Sequence, residues 1–492
     1  MLKSVINLNK KKFSVDSILL INLSLAFFPI SFVLGNLIIN LNIVLFCILG
    51  IFHLRSKILT TKYNLPIKII FLLFFAIFFS TSLSFVKFLY IEGYEYEHLA
   101  RLVKSILFFR YFLMLIIIYL LSEHNILNFK YLFSSAAFLT LLVALDVIYQ
   151  YIFGFNIVGL KSVDYHNSSF FGDEHIAGGY IQNFSLFLVF FVTFVLKNKN
   201  KLRFILTTIT ICIIGTSIML SGNKMPLILF LFGLLLVFLF DNKLRKIIPV
   251  GLVCCFILFK FILSSDSTLK DRYLSFYISI DHSFNVFDLG KNYEGQENST
   301  ITKEKSQQSS LRPEKISFLN DRSFQARLLL TALDTWKENK IFGNGIKSFR
   351  TDCYKLQDMY AEKREAKDLI DKNPDYEYNF TEAYIESKKN RLCSTHPHNY
   401  YFEILTETGI VGLFITLIIA SLFIIFILKN FKLFKGDNIE NLILLAATIS
   451  LILEVFPIKS TGSVFTTYDS AYIILISSII LSYGKKLTTS NK

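Results

Sequence analysis

The chain has 492 residues, 53% of them hydrophobic and 52 of them Phe, with a mean hydropathy of +0.51. Only 18% are charged, against about 25% in an ordinary soluble domain, and apolar runs long enough for a membrane-spanning helix recur along it. A soluble enzyme, a secreted disulfide scaffold and a disordered protein are therefore excluded, and the net charge of +14 is not a nucleic-acid signal, because Lys and Arg sit in short blocks between apolar runs.

In chain order, Met1–Asp16 is basic and polar, with Lys3, Lys10, Lys11 and Lys12. The apolar run after it continues without a small-residue cleavage site, so it reads as a first span rather than a signal peptide. About twelve spans are expected, at 17–35, 37–53, 67–86, 106–121, 131–152, 176–196, 204–220, 225–240, 247–263, 409–428, 439–456 and 468–483. With the N-terminus inside, the inner loops carry basic blocks such as Arg55 to Lys68, Lys197 to Arg203, Lys243 to Lys246 and Lys429 to Lys435. The outer turns are poorer, chiefly Lys87, Arg101, Lys104, Lys161, Lys224 and Lys459. That bias predicts cytoplasmic termini. The expected fold is an all-α polytopic membrane protein in three stretches: residues 1–263 with spans one to nine, a large outer loop over 264–408, and residues 409–492 with spans ten to twelve.

Within the outer loop, Gly290 to Lys315 is poor in apolar residues and expected to be mobile. From Asp321, a plausible N-cap, Leu329, Leu333 and Trp336 recur at helical spacing, predicting an amphipathic helix on the membrane surface. Gly343-Asn344-Gly345 ends it, and Lys355 to Lys372 reads as a second, highly charged helix. Cys47, Cys212, Cys254 and Cys255 fall in spans and read as small apolar fillers. Cys353 and Cys393 lie in the loop and form a candidate disulfide if that side is oxidising; two free thiols are the alternative. A zinc site from Cys393, His396 and His398 lacks a fourth ligand at conventional spacing.

The most informative stretch runs from Thr395-His396-Pro397-His398-Asn399-Tyr400 to Gly409-Ile410-Val411-Gly412. Pro397 suits the first position of a helix, which would put His398 and Asn399 in its first turn. The field of a helix N-terminus favours anions and disfavours a protonated imidazole, so His398 could stay neutral and act as a base. A surface histidine at a loop–helix junction is the competing reading.

The order His398-Asn399, then Gly409 and Gly412, resembles the signature of the bacterial O-antigen ligase family, part of the wider O-antigen ligase and polymerase superfamily. The likeness extends to about twelve spans and one large loop between spans nine and ten with the histidine motif at its end, a GT-C-like arrangement. It implies a membrane-embedded glycosyltransferase without a cofactor or metal. The implied reaction moves a glycan from undecaprenyl diphosphate to lipid A–core at the periplasmic face of the inner membrane, with His398 as base. Arg327, ahead of Trp336 and the Gly343 turn, matches the family's loop arginine, implied to hold the donor diphosphate. Arg322 and Arg350 are competitors for that role. In Leu220-Ser221-Gly222-Asn223-Lys224, the family's turn arginine is replaced by Lys224, which can meet phosphate as a point charge but lacks the guanidinium fork. Whether Lys224 or another cation such as Arg350 takes that task stays open.

Other polar residues carry weaker signals. Glu174 and His175 either line a cavity or cap span six, and Asp146 and Gln150 read as a buried polar pair. Glu403 and Glu407 read as a solvated face. An O-antigen polymerase or a protein O-oligosaccharyltransferase would use the same donor with another acceptor. A lipid-glycan flippase is the non-enzymatic alternative, although neither repeated halves nor matched broken helices are visible.

Overall fold

The computed structural model describes residues 17–55, 57–91, 96–162, 166–274, 324–354, 392–436, 438–460 and 462–490. Met1–Asp16, Gly290–Lys315, Asp321, Arg322 and Lys355–Lys372 lie outside the described residues.

Every expected span coincides with a helix: α1 (Ser17–Leu34), α2 (Asn36–Leu54), α3 (Leu65–Ile91), α4 (Tyr96–Glu123), α5 (Phe129–Phe153), α6 (Ala177–Val195), α7 (Asn200–Leu220), α8 (Lys224–Phe240) and α9 (Ile247–Ser265) precede the large loop. Within that loop runs α10 (Phe324–Glu338), and after it come α11 (Tyr400–Lys429), α12 (Ile439–Glu454) and α13 (Thr467–Ser490). Among the described residues, nine helices are long and apolar enough to cross a membrane, and α8 and α12, with 17 and 16 residues, are shorter. The chain is a multi-pass, all-α membrane protein.

Local sequence explains the boundaries. Pro66, Pro226 and Pro249 fall within the first turns of α3, α8 and α9, where a missing N–H costs no helical bond. Asn128 and Asn438 cap α5 and α12 by accepting from Lys130 N and Asn441 N. Helix α1 packs on α2 and α5, α6 on α5, α7 and α12, and α13 on α4 and α12. Aromatic pairs such as Phe32–Tyr468 and Phe184–Tyr472 fill the centre of one continuous apolar core.

Two features differ from the expected ones. Helix α11 begins at Tyr400, three residues after the expected helix start at Pro397 and nine ahead of the expected span, and is broken at Gly409 (φ 67, ψ −165). In an unbroken helix Ile410 N and Val411 N would donate to Thr406 O and Glu407 O. Here they donate to Lys340 O and Ile341 O at 3.0 and 3.2 Å. The two released carbonyls accept instead from Asn344 N at 3.0 Å and Gly345 N at 2.9 Å. A stretch of the outer loop is thus inserted into the helical ladder and pairs these four backbone groups, as a chain in a membrane requires. Gly343 and Gly409 make the approach possible, since a Cβ at Gly409 would lie 2.2 Å from Ile341 O and one at Gly343 2.5 Å from the Glu407 backbone. The insertion also reaches α3, where Ile346 N donates to Thr81 Oγ1 at 3.0 Å.

The second difference concerns α10. Its buried face is Leu328, Thr331, Ala332 and Thr335, while the expected stripe of Leu329, Leu333 and Trp336 is only half-buried. The helix packs on α11, and small residues let it approach closely there, so close packing rather than maximal apolarity selects the buried face. Thr331 Oγ1 also accepts from Leu392 N at 3.2 Å, tying α10 to the strand of chain that leads into the histidine motif.

Candidate active site

The histidine motif is set by Asn399, not by Pro397. The Asn399 side chain accepts from Tyr401 N and Phe402 N and makes this residue the N-cap, so His398 stands just outside the helix rather than in its first turn. His398 is held at φ +57, an uncommon conformation for a residue with a side chain. Asn399 Nδ2 donates to Pro457 O at 2.8 Å. Both ends of the Asn399 amide are therefore engaged in shaping the loop; the O-antigen ligase resemblance also offers Asn399 as a residue for the donor diphosphate.

His398 and His396, their rings 4.1 Å apart, line a cavity of about 620 Å³. Asn36 of α2, Glu174 and His175 before α6, Asn223 before α8, and Lys459 close other walls. Lys459 is the only Lys or Arg among the described residues that line it. Its Nζ donates to Glu454 Oε1 at 2.6 Å, and Glu454, fully buried at the end of α12, also accepts from the Tyr400 hydroxyl at 2.5 Å. A buried carboxylate thus fixes an ammonium at the cavity wall. Glu403 accepts from Ser463 Oγ at 2.5 Å and Val464 N at 2.8 Å, which holds the loop between α12 and α13 against the start of α11.

Electrostatics favour neutral imidazoles. Burial lowers the His398 pKa below its ordinary value of 6.5. Burial, reinforced by His398, Arg350 and Lys347, lowers that of His396 to about 4. The His398 Nε2 lies 3.4 Å from Ser394 Oγ. A neutral ring on a cavity wall beside a fixed cation can accept a proton from a hydroxyl while the cation attracts an anionic leaving group. Among the described residues no three His, Cys, Asp or Glu side chains come together as metal ligands.

Arg327, Lys224 and Arg350 are half-buried, and none of them lines the histidine cavity. Lys224 adjoins the lining residue Asn223 and feels the Arg272 guanidinium, which bonds His166 at 2.7 Å; His166 in turn stacks on the lining His175 at 4.0 Å. Arg350 is close enough to His396 to lower its pKa. Cys353 and Cys393, the candidate disulfide pair, pack in one small cluster with Ala332, Phe349 and Phe402. Asp146 and Gln150 are buried and bond the loop after α5 rather than each other, through Ile157 N, Ser169 and Leu160 O. Glu403 and Glu407, expected on a solvated face, are 2% and 1% exposed because the inserted loop and the α12–α13 loop cover them. Lys459 was legible only as a topological charge, yet Glu454 in an apolar run was a signal that a cationic partner must exist nearby.

Residues 208–417 match the family model described as O-antigen ligase, and this range includes Lys224, Arg327, Arg350, His398 and Gly409. No curated protein matches the chain.

Proposed function

We propose that this chain, whose residues 208–417 match the family model described as O-antigen ligase, is an O-antigen ligase that transfers a glycan from undecaprenyl diphosphate to lipid A–core by inversion and without a metal. His398 accepts the proton of an acceptor hydroxyl as its oxygen bonds the anomeric carbon. The bond from that carbon to the diphosphate oxygen breaks, and the electron pair leaves with the diphosphate. Lys459, on the cavity wall, supplies positive charge to the leaving group, and Lys224, Arg350 and Arg327 are the further cations assigned to that role. The positive-inside bias supports a bacterial inner-membrane location with this cavity on the periplasmic side and both termini in the cytoplasm.

The carrying observation is His398, its pKa lowered by burial, held out of its helix on the wall of a cavity that also contains a fixed ammonium. The test is transfer by the purified chain from lipid-linked glycan to lipid A–core with EDTA present. His398→Ala should fold normally and lose about 10²–10⁴ of the rate, the usual contribution of a general base. Undiminished transfer by that variant removes the base from the mechanism. Transfer only to a second lipid-linked repeat, or to a protein hydroxyl, would keep the chemistry and replace the acceptor.

A further inference from the structure

A second cavity, of about 410 Å³, shares no lining residue with the first. Lys104 and Arg110 of α4 and Lys347 of the inserted loop line it, with Asn40 of α2 and Thr467 of α13 as neutral polar groups and Phe465 as an apolar wall. No carboxylate lines it among the described residues. Glu403 and Glu407, outside the lining, act on Lys347, and they accept from Ser463, Val464 N and Lys347 N.

The position of these cations is costly. Arg110 stands midway along Glu97–Glu123, a helix long and apolar enough to cross a membrane, where an ionisable side chain calls for a functional account. Its Nη1 and Nη2 donate to Leu107 O and the Tyr111 hydroxyl, but its buried Nε has no partner among the described residues. Lys347 sits at φ +58, and burial together with Arg350 and Lys104 pushes its ammonium below the ordinary lysine pKa. On the same helix, Val103, Ile106 and Leu107 are exposed apolar residues, so lipid chains can approach beside the cavity.

We propose that the cavity of Lys104, Arg110 and Lys347 is an anion site, separate from the histidine cavity, that takes a phosphate group carried on a lipid. Three cations call for more negative charge than one carboxylate supplies, and a phosphate monoester or diphosphate meets a guanidinium and two ammonium groups with several oxygens at once. The adjoining apolar surface accounts for the rest of an amphiphile. This assignment needs no transfer reaction and stands whether or not His398 is a base.

The test uses the full chain in phosphatidylcholine nanodiscs. Retention of added phosphatidic acid is measured by native mass spectrometry, with inorganic pyrophosphate and oleate added separately to phosphatidylcholine-only discs. Phosphatidic acid should be retained, and Lys104→Gln and Arg110→Gln should each weaken it by about tenfold or more, while Lys161→Gln, in an exposed loop, leaves it unchanged. Pyrophosphate binding with the same dependence on Lys104 and Arg110 would support the site and identify a free phosphate as a sufficient ligand. Retention unchanged in Lys104→Gln, an exposed position whose loss spares the fold, overturns the proposal. So does oleate held as tightly as phosphatidic acid.

Discussion

Replacing Gly409 by Ala should be among the most damaging single-methyl additions in the chain. The backbone there, at φ 67 and ψ −165, belongs to a region essentially reserved for glycine, and a side chain in it costs about 1–3 kcal/mol. The new Cβ would lie 2.2 Å from Ile341 O and 2.6 Å from Gly343 N, so the inserted loop must retreat. Retreat weakens the bonds from Ile410 N and Val411 N to the loop and those from Asn344 N and Gly345 N to the helix, each worth about 0.5–1.5 kcal/mol net. Strain plus the loss of two such bonds amounts to about 2–6 kcal/mol. Gly154→Ala is the matched comparison: φ is +78, but nothing lies within 4 Å of the added methyl, so only the left-handed penalty of about 1–2 kcal/mol remains. Thermal unfolding of the two detergent-solubilised variants measures the difference. The only Trp of the chain reports on the cause, because Trp336 Nε1 donates at 2.9 Å to Lys340 O, the same carbonyl that Ile410 N uses. Gly409→Ala should therefore change Trp336 emission in the folded protein, and Gly154→Ala should not. Equal destabilisation with unaltered emission in both would refute the inserted ladder as the element that holds this region.

The acid limb of the transfer profile should lie below pH 6.5. A base must be unprotonated, burial lowers the His398 pKa, and activity is thus retained as pH falls through 6.5 and lost at lower values; an inflection above 6.5 contradicts the assignment. Lys459→Ala should destabilise by about 3–5 kcal/mol, since it leaves the fully buried Glu454 carboxylate without its cation, and adding Glu454→Gln should restore part of that loss in denaturation experiments. If the loop side is oxidising, Cys353 and Cys393 should resist maleimide until a reductant is added, and loss of either should release the other as a reactive thiol. Labelling of both without reductant would mean that they remain thiols.

The sequence revealed the helices well because each is an apolar run bounded by Pro, Asn or basic residues, signals that are local. It revealed the histidine motif for the same reason. What it misplaced depends on partners distant in sequence. The start of α11 moved because Asn399 found two backbone donors at its own helix and a carbonyl at Pro457. Glu403 and Glu407 look solvated at four-residue spacing, and only the arrival of the 463–464 and 345–347 segments turns them inward. Arg327 and Lys224 were chosen by resemblance, whereas the ammonium on the cavity wall, Lys459, follows from a carboxylate on another helix.

The interruption of α11 has a mechanical consequence. Its first two turns are fastened elsewhere: Asn399 to Pro457, Tyr400 to Glu454, Tyr401 to Val455 O and Glu403 to the 463–464 segment. The half that follows Gly409 carries bulky apolar side chains such as Phe414, Ile424 and Leu428, all largely uncovered. No helical hydrogen bond of the usual register links Thr406 and Glu407 to Ile410 and Val411, so the long rod is jointed at that point. The short segment bearing the histidines takes its orientation from the end of α12 and the loop beyond it, and tilting of the lipid-side half bends the joint before it turns an imidazole.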